Sequence, residues 1–180
     1  MVKLVVRDVM YSFEIAGSGE KRPLLLLHGF TGSSRNWEPV LPGLVDRFMV
    51  IAVDLLGHGR STAPTRPARY MMEAAAADLI DLLDQLAIEQ TSLLGYSMGG
   101  RLALYLAAQY PQRFQALILE SASPGLKEKA EQIARRQQDN ALAARIEEDG
   151  LEAFVDYWES LPLWASQEQL AEEVRAGLRR

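Results

Sequence analysis

Hydrophobic residues along the chain are grouped in two ways, as short uninterrupted runs and as a helical repeat. Four mainly apolar runs of three or four residues are each followed by a polar residue or a glycine. Runs of this length without alternation are typical of strands that are buried on both faces of a parallel sheet. We therefore predict four such strands, at residues 24–27, 50–53, 92–94 and 116–119.

An antiparallel hairpin is predicted ahead of these strands. Residues 1–6 and 9–15 are rich in β-branched and aromatic side chains, which favour strands. Arg7-Asp8 lies between them and is short enough to form a tight turn. The sheet should therefore begin with two antiparallel strands.

Two helices are predicted between the apolar runs. Leucines recur at helical spacing in residues 73–87, and the aspartates among them are expected on the solvent-exposed side, namely Asp78, Asp81 and Asp84. Residues 98–109 are rich in leucine and alanine and end before Pro111. Strands that alternate with helices predict an α/β fold with a mostly parallel sheet.

The composition of the chain changes after Pro124-Gly125. Residues 126–180 consist almost entirely of helix formers, with breaks at Gly150 and at Leu161-Pro162. We therefore predict two parts, residues 1–124 as the N-terminal part of an α/β core and residues 125–180 as an incomplete helical cap.

Composition and charge exclude several classes of function. The chain has 180 residues, of which 48% are hydrophobic and 24% charged, and its net charge of −5 gives no general attraction to nucleic acid or to anionic membranes. No stretch is apolar enough to span a bilayer, and the first residues do not resemble a signal peptide. Without cysteines or any cluster that suggests a metal or organic cofactor, we expect a cytoplasmic protein that binds neither membrane nor nucleic acid.

The sequence Gly95-Tyr96-Ser97-Met98-Gly99 matches the G-x-S-x-G pattern of a nucleophile elbow. The match follows a predicted buried strand and opens a predicted helix, which is the context that the motif requires. A tight turn with an incidental serine is the alternative, and agreement with other motifs makes it the weaker one. Ser97 is the candidate catalytic nucleophile or base.

A second motif, His28-Gly29-Phe30-Thr31-Gly32, also follows a buried strand. In hydrolases with such an elbow, this loop supplies one backbone N–H of the oxyanion hole, and the residue after the nucleophile supplies the other. Phe30 and Met98 are the corresponding residues. His28 is included among the candidate substrate-binding residues because it lies in this loop. For its imidazole ring, a buried and hydrogen-bonded structural role is favoured.

The loop at residues 54–61 contains the chain's second histidine, His58. Proteins with a G-x-S-x-G elbow place the catalytic serine, acid and histidine in that order along the chain. Because His28 and His58 both precede Ser97, we expect neither to be the triad histidine.

Three arginines are candidates for binding anionic substrate groups. Arg101 lies one helical turn after Ser97, and Arg135 and Arg136 lie in the predicted cap. Guanidinium groups bind carboxylates well because of their planar, bidentate geometry. The alternative is that these arginines are solvated charges on a helix surface. For Arg135 or Arg136 considered alone, this alternative is favoured.

Together these residues resemble the 2-succinyl-6-hydroxy-2,4-cyclohexadiene-1-carboxylate synthases of menaquinone biosynthesis, which are lyases of the α/β-hydrolase fold. The matching stretches include residues 28–33 and 54–61, which are shared across the superfamily, and residues 95–101. The more specific matches are residues 120–126, 135–139, 154–158 and 161–166.

The resemblance implies an elimination of pyruvate from a polycarboxylate cyclohexene substrate. It implies that Ser97 is the base or a relay and that the amides of Phe30 and Met98 stabilise negative charge on a carbonyl oxygen. Arg101 and Arg135 would bind substrate carboxylates, while Tyr96 and Trp158 would shape the pocket.

In one respect the sequence departs from the family pattern. The family's aspartate and histidine follow two later strands, which we do not find before Arg180. We therefore expect this chain alone to be nearly inactive. We also expect the strand at 116–119 to be an exposed edge that self-association or a further C-terminal segment covers.

Two other functions stay open. A carboxylesterase on the same scaffold would use the same elbow without the arginines. A non-catalytic hydrolase-like binding module would account for the missing acid and histidine, but it would not need the elbow or the oxyanion loop.

Overall fold

The computed structural model describes residues 1–178 as six strands, five α-helices and four short 3₁₀ segments. The strands are β1 (Val2–Val6), β2 (Val9–Ala16), β3 (Arg22–Leu27), β4 (Phe48–Val53), β5 (Thr91–Tyr96) and β6 (Phe114–Glu120). The helices are α1 (Leu41–Leu44), α2 (Met72–Gln85), α3 (Met98–Gln109), α4 (Lys129–Glu159) and α5 (Glu172–Leu178). The 3₁₀ segments are Ser34–Trp37, Pro67–Tyr70, Pro111–Arg113 and Pro162–Gln169.

The strands form one mixed sheet in the order β1-β2-β4-β3-β5-β6. β1 pairs antiparallel with β2, and β2 pairs antiparallel with β4. The remaining neighbours are parallel, because the connections that contain α1, α2 and α3 each return the chain to the same end of the sheet. The predicted fold class, a mostly parallel α/β sheet with an N-terminal hairpin, is confirmed.

The central strands are buried on both faces, as their uninterrupted apolar sequences predict. Along β3, Leu25 and Leu27 belong to the hydrophobic cluster that also contains residues of α2 and α3. Leu24 and Leu26 point to the opposite face and pack with Trp37. A strand between two apolar layers has no solvent-facing side on which an alternating polar pattern could form.

Asp78 corrects one expectation about α2. The helical repeat predicted Asp78 on the exposed side, but its side chain has no solvent exposure. Its carboxylate accepts hydrogen bonds from the Tyr11 hydroxyl at 3.0 Å and from the Arg69 guanidinium at 2.8 Å. Tyr11 lies 67 residues away and Arg69 lies in the 3₁₀ segment before α2, so the helical repeat of α2 could not identify these partners. Asp78 thus joins α2 to the hairpin strand β2.

Among the described residues, β6 lies at an edge of the sheet, next to β5. Its side chains are mostly exposed, with Ile118 at 51% and Leu119 at 40% of full exposure. Exposed apolar edges tend to pair with other strands. What covers this edge stays a prediction.

The chain divides into two compact units, Met1–Pro124 and a helical unit that begins at Gly125. Within the helical unit, α4 is interrupted at Gly150, whose φ of 82° and ψ of 171° are not helical. The rings of Phe154, Trp158 and Trp164 follow one another at centroid distances of 5.7 and 6.1 Å. The predicted breaks at Gly150 and before Pro162 are confirmed. No helix in residues 1–178 combines the length and apolar character that crossing a membrane requires.

Candidate active site

Ser97 lies in a strained turn between the end of β5 and the start of α3. Its φ of 51° and ψ of −111° are uncommon for a residue with a side chain. The turn is held by two backbone hydrogen bonds, from Ser97 N–H to the Glu120 carbonyl at 2.9 Å and from Arg101 N–H to the Ser97 carbonyl at 3.1 Å. The motif therefore has the strand–turn–helix context that a nucleophile elbow requires.

The glycines of the elbow are required by close backbone packing. A Cβ atom on Gly95 would lie 2.4 Å from the Gly99 carbonyl oxygen. A Cβ atom on Gly99 would lie 2.3 Å from the Leu27 carbonyl oxygen and 2.4 Å from that of His28. Only glycine lets the first turn of α3 pack directly against the end of β3.

This packing brings the oxyanion loop, defined here as residues 28–34, next to Ser97. A Cβ atom on Gly29 would lie 3.5 Å from the Ser97 Cβ and 2.9 Å from the Tyr96 ring. Met98 is the first residue of α3, so its N–H has no acceptor within the helix. The elements that carry Tyr96, Ser97 and Met98 and the loop that contains Phe30 thus meet at the carboxyl edge of the parallel strands.

His28 is enclosed beneath this edge, with 1% of its surface exposed. Its Nδ1 lies 2.7 Å from the Gly29 carbonyl oxygen, and its Nε2 accepts the Leu55 N–H at 3.0 Å. Burial lowers the pKa of His28 to about 4, so the ring is neutral at physiological pH. Both ring nitrogens are used within the protein, which argues against a direct substrate contact and favours the structural role stated as the alternative above.

Asp54 anchors the oxyanion loop to the next loop along the sheet edge. Its buried carboxylate accepts the Ser34 N–H at 2.7 Å and the Arg60 N–H at 3.0 Å. A Cβ atom on Gly59 would lie 2.4 Å from the Asp54 Cγ, so the loop can close around the carboxylate only with glycine there. Sequence reasoning missed this anchor, although an acid directly after a buried strand was a signal for it.

His58 lies on the same loop, and neither of its ring nitrogens is directed at Ser97. Nδ1 lies 3.0 Å from the Leu56 carbonyl oxygen, and Nε2 contacts the carbonyl oxygen of Phe30. Within residues 1–178, neither histidine hydrogen bonds to the Ser97 hydroxyl. This is the arrangement expected if neither is the base that activates Ser97.

The candidate carboxylate-binding residues have different surroundings. Arg101 is exposed on the first turns of α3 and forms no ion pair with the described residues. Arg135 is paired with Asp139 at 2.8 Å across one turn of α4, where both side chains are about half exposed. An exposed pair of this spacing contributes only about 0.3–0.5 kcal/mol, so an anionic ligand could compete for Arg135. Trp158 lies in the aromatic row of the helical unit.

Comparison with known proteins adds to this geometry. A family model described as alpha/beta hydrolase fold matches residues 22–170. The chain belongs to the alpha/beta hydrolase fold family. Among solved structures, MenH from S. aureus superposes with a TM-score of 0.85 at 38% identity, covering 94% of this chain and 63% of that one.

Two curated relatives bear the name 2-succinyl-6-hydroxy-2,4-cyclohexadiene-1-carboxylate synthase. The protein of Bacillus subtilis (strain 168), whose name is provisional, is 44% identical over 99% of this chain and 65% of its own length. The protein of Citrobacter koseri is 35% identical over 87% of this chain and 60% of its own length. The chain therefore resembles these synthases, and it spans somewhat under two thirds of their length.

Proposed function

We propose that the full-length protein is a carbon–oxygen lyase that eliminates pyruvate from a polycarboxylate cyclohexene substrate. The product would be 2-succinyl-6-hydroxy-2,4-cyclohexadiene-1-carboxylate, a precursor of menaquinone. The observation that carries this proposal is the elbow itself, because the strained Ser97 lies against the oxyanion loop. Arg101, which forms no ion pair with any residue in 1–178, follows one helical turn later. The similarity to the synthases of Bacillus subtilis and Citrobacter koseri supports it.

The chemistry requires a base and a site for developing negative charge. Removal of a ring proton moves electron density toward a carbonyl oxygen, and the carbon–oxygen bond to the departing pyruvate group then breaks. Ser97, deprotonated through a histidine, would take the proton. The backbone N–H groups of Phe30 and Met98 would stabilise the oxyanion, because fixed donors aimed at developing charge lower the barrier most.

The substrate's carboxylates need positive groups, although the protein as a whole is acidic. Arg101 can serve because its guanidinium is not already committed to an ion pair among the described residues. For Arg135, Tyr96 and Trp158 the proposal rests on the resemblance to the synthases. A cytoplasmic location is part of the same proposal, and cell fractionation tests it.

The test is pyruvate release by the full-length protein from the cyclohexene substrate. We expect Ser97→Ala to lower kcat by about a thousandfold or more, as loss of a catalytic serine typically does. Arg101→Ala should lower kcat/KM about 10- to 100-fold, since a hydrogen bond to a charged group contributes about 1.5–3 kcal/mol. Arg22→Ala is the matched control, because Arg22 is an exposed arginine at the amino end of β3, away from the elbow.

Two outcomes would overturn the lyase proposal in different directions. Turnover of neutral esters that survives Arg101→Ala, without pyruvate release, would identify a carboxylesterase. Binding of the polycarboxylate with no turnover of either substrate would identify a hydrolase-like binding module. Equal losses in Arg22→Ala and Arg101→Ala would remove the argument for a carboxylate clamp.

A further inference from the structure

Three side-chain contacts join the oxyanion loop to the loop at residues 54–61, called here the histidine loop. His28 Nε2 accepts the Leu55 N–H, and the Asp54 carboxylate accepts the Ser34 N–H. The third contact is between His58 Nε2 and the carbonyl oxygen of Phe30. The first two are enclosed, whereas His58 is partly exposed and can exchange protons with solvent.

The His58 ring faces a carbonyl oxygen at each nitrogen. Nδ1 lies 3.0 Å from the Leu56 oxygen, and Nε2 contacts the Phe30 oxygen. A carbonyl oxygen only accepts hydrogen bonds, and a neutral imidazole has one N–H. The neutral ring can therefore satisfy one of the two carbonyls, and only the protonated ring can satisfy both.

We propose that His58 is a positioning residue for the oxyanion hole, holding the Phe30 backbone by donating Nε2–H to its carbonyl oxygen. The Phe30 carbonyl and N–H groups flank the same Cα atom, so a donor that fixes the carbonyl limits rotation of the residue that presents the N–H. The role of that N–H as an oxyanion donor rests on the proposed function. The contact between the two loops is independent of that function.

The hold on Phe30 depends on which ring nitrogens of His58 carry a proton. A ring with both nitrogens protonated bridges Leu56 and Phe30 and joins the two loops. A neutral ring keeps its hydrogen bond to Phe30 only as the tautomer that has the proton on Nε2.

The first experiment is ¹⁵N NMR of the two imidazole rings. The chain has only two histidines, and their signals are assigned with His58→Gln. We expect a proton on His58 Nε2 and a scalar coupling from this nitrogen to the Phe30 carbonyl carbon. An Nε2 without a proton, or the absence of this coupling, would overturn the proposal.

Hydrogen exchange of the oxyanion loop provides the rescue test. His58→Phe keeps a ring but removes both donors, and we expect protection of residues 29–33 to fall about fivefold, the equivalent of one hydrogen bond. His58→Gln keeps a side-chain N–H donor and should restore part of the protection. Equal protection in all three proteins, or equal loss in both variants, would contradict the proposal.

Turnover by the full-length protein separates positioning from general stability. A displaced oxyanion donor lowers kcat and leaves KM nearly unchanged, because the charge that it stabilises exists only in the transition state. We expect this split for His58→Phe and partial recovery for His58→Gln. If the wild-type protein released no pyruvate, the proposed function would fail, while the NMR and exchange results would still decide the role of His58.

Discussion

The two units of the chain differ in how tightly their backbones are packed. At the elbow, Gly95 and Gly99 have backbone oxygens within 2.4 Å of where a Cβ atom would lie. In the helical unit, Gly150 and Gly177 have no atom within 4 Å of that position. The same contrast holds for side chains, since the leucines of β3 are enclosed whereas α4 buries Phe154 and exposes most of its length.

This difference separates two kinds of argument about function. In the first unit, Ser97, Met98 and the oxyanion loop are positioned by backbone packing that leaves room only for glycine at residues 95 and 99. In the helical unit, Arg135 and Trp158 are site candidates because they match a family pattern. Experiments on the first unit therefore test whether backbone packing requires these residues. Experiments on the helical unit test whether the match to the family pattern reflects a shared function.

The largest difference should come from replacing glycines with alanine. Gly99→Ala forces a methyl group against the Leu27 and His28 carbonyls, and we expect it to lower the free energy of unfolding by about 3 kcal/mol or more. Gly177→Ala has open space and should stabilise α5 by about 0.5–1 kcal/mol. Urea denaturation measures both, and a Gly99→Ala protein as stable as wild type would refute the close packing of the elbow.

Ion pairs provide the second comparison. Asp78→Asn removes the charge that faces Arg69 in the interior, and we expect a loss of about 3 kcal/mol, as for other broken buried pairs. Asp139→Asn removes the partner of Arg135 on an exposed helix and should cost less than about 0.5 kcal/mol. Chemical denaturation of the two variants in parallel gives both values. Similar losses would mean that burial does not distinguish the two pairs.

The pH dependence of stability tests the enclosed histidine of the first unit. The pKa of His28 is about 4 in the folded protein and 6.5 ordinarily, so below pH 6.5 the unfolded chain takes up a proton that the folded chain refuses. Stability is therefore lost as pH falls, by about 2 kcal/mol between about pH 7 and 5 from this group. In His28→Gln, whose side chain can still accept the Leu55 N–H, that slope should be absent. If the variant and wild type lost stability equally as pH falls, a group other than His28 would cause the pH dependence.

Sequence patterns predicted those features that depend on neighbouring residues. The apolar runs indicated the four parallel strands, of which β6 is mostly exposed, and the spacing around Ser97 indicated a strand, a turn and a helix. Strand ends were less accurate: β3 begins at Arg22 because Arg22 and Pro23 pair with Phe48 and Met49, although neither residue is part of the apolar run.

Features that depend on distant partners could not be predicted. Asp78 matched a solvent-facing position by helical spacing, yet Tyr11, 67 residues earlier, donates to it in the interior. The contact between His58 and Phe30 joins loops that follow different strands, and local sequence has no signal for it. The site at the elbow was therefore predictable as a motif, whereas the contacts that hold its loops became visible only in the fold.

The break in α4 allows a comparison within the helical unit itself. Gly150 has a φ of 82° and a ψ of 171°, a conformation that is nearly restricted to glycine. Gly150→Ala should therefore cost about 1 kcal/mol although no atom would clash with the new methyl group. Thermal unfolding by circular dichroism, with Gly177→Ala as reference, measures the difference. If Gly150→Ala instead stabilised the protein, α4 would run through residue 150 without a break, and the break predicted from the sequence would be wrong.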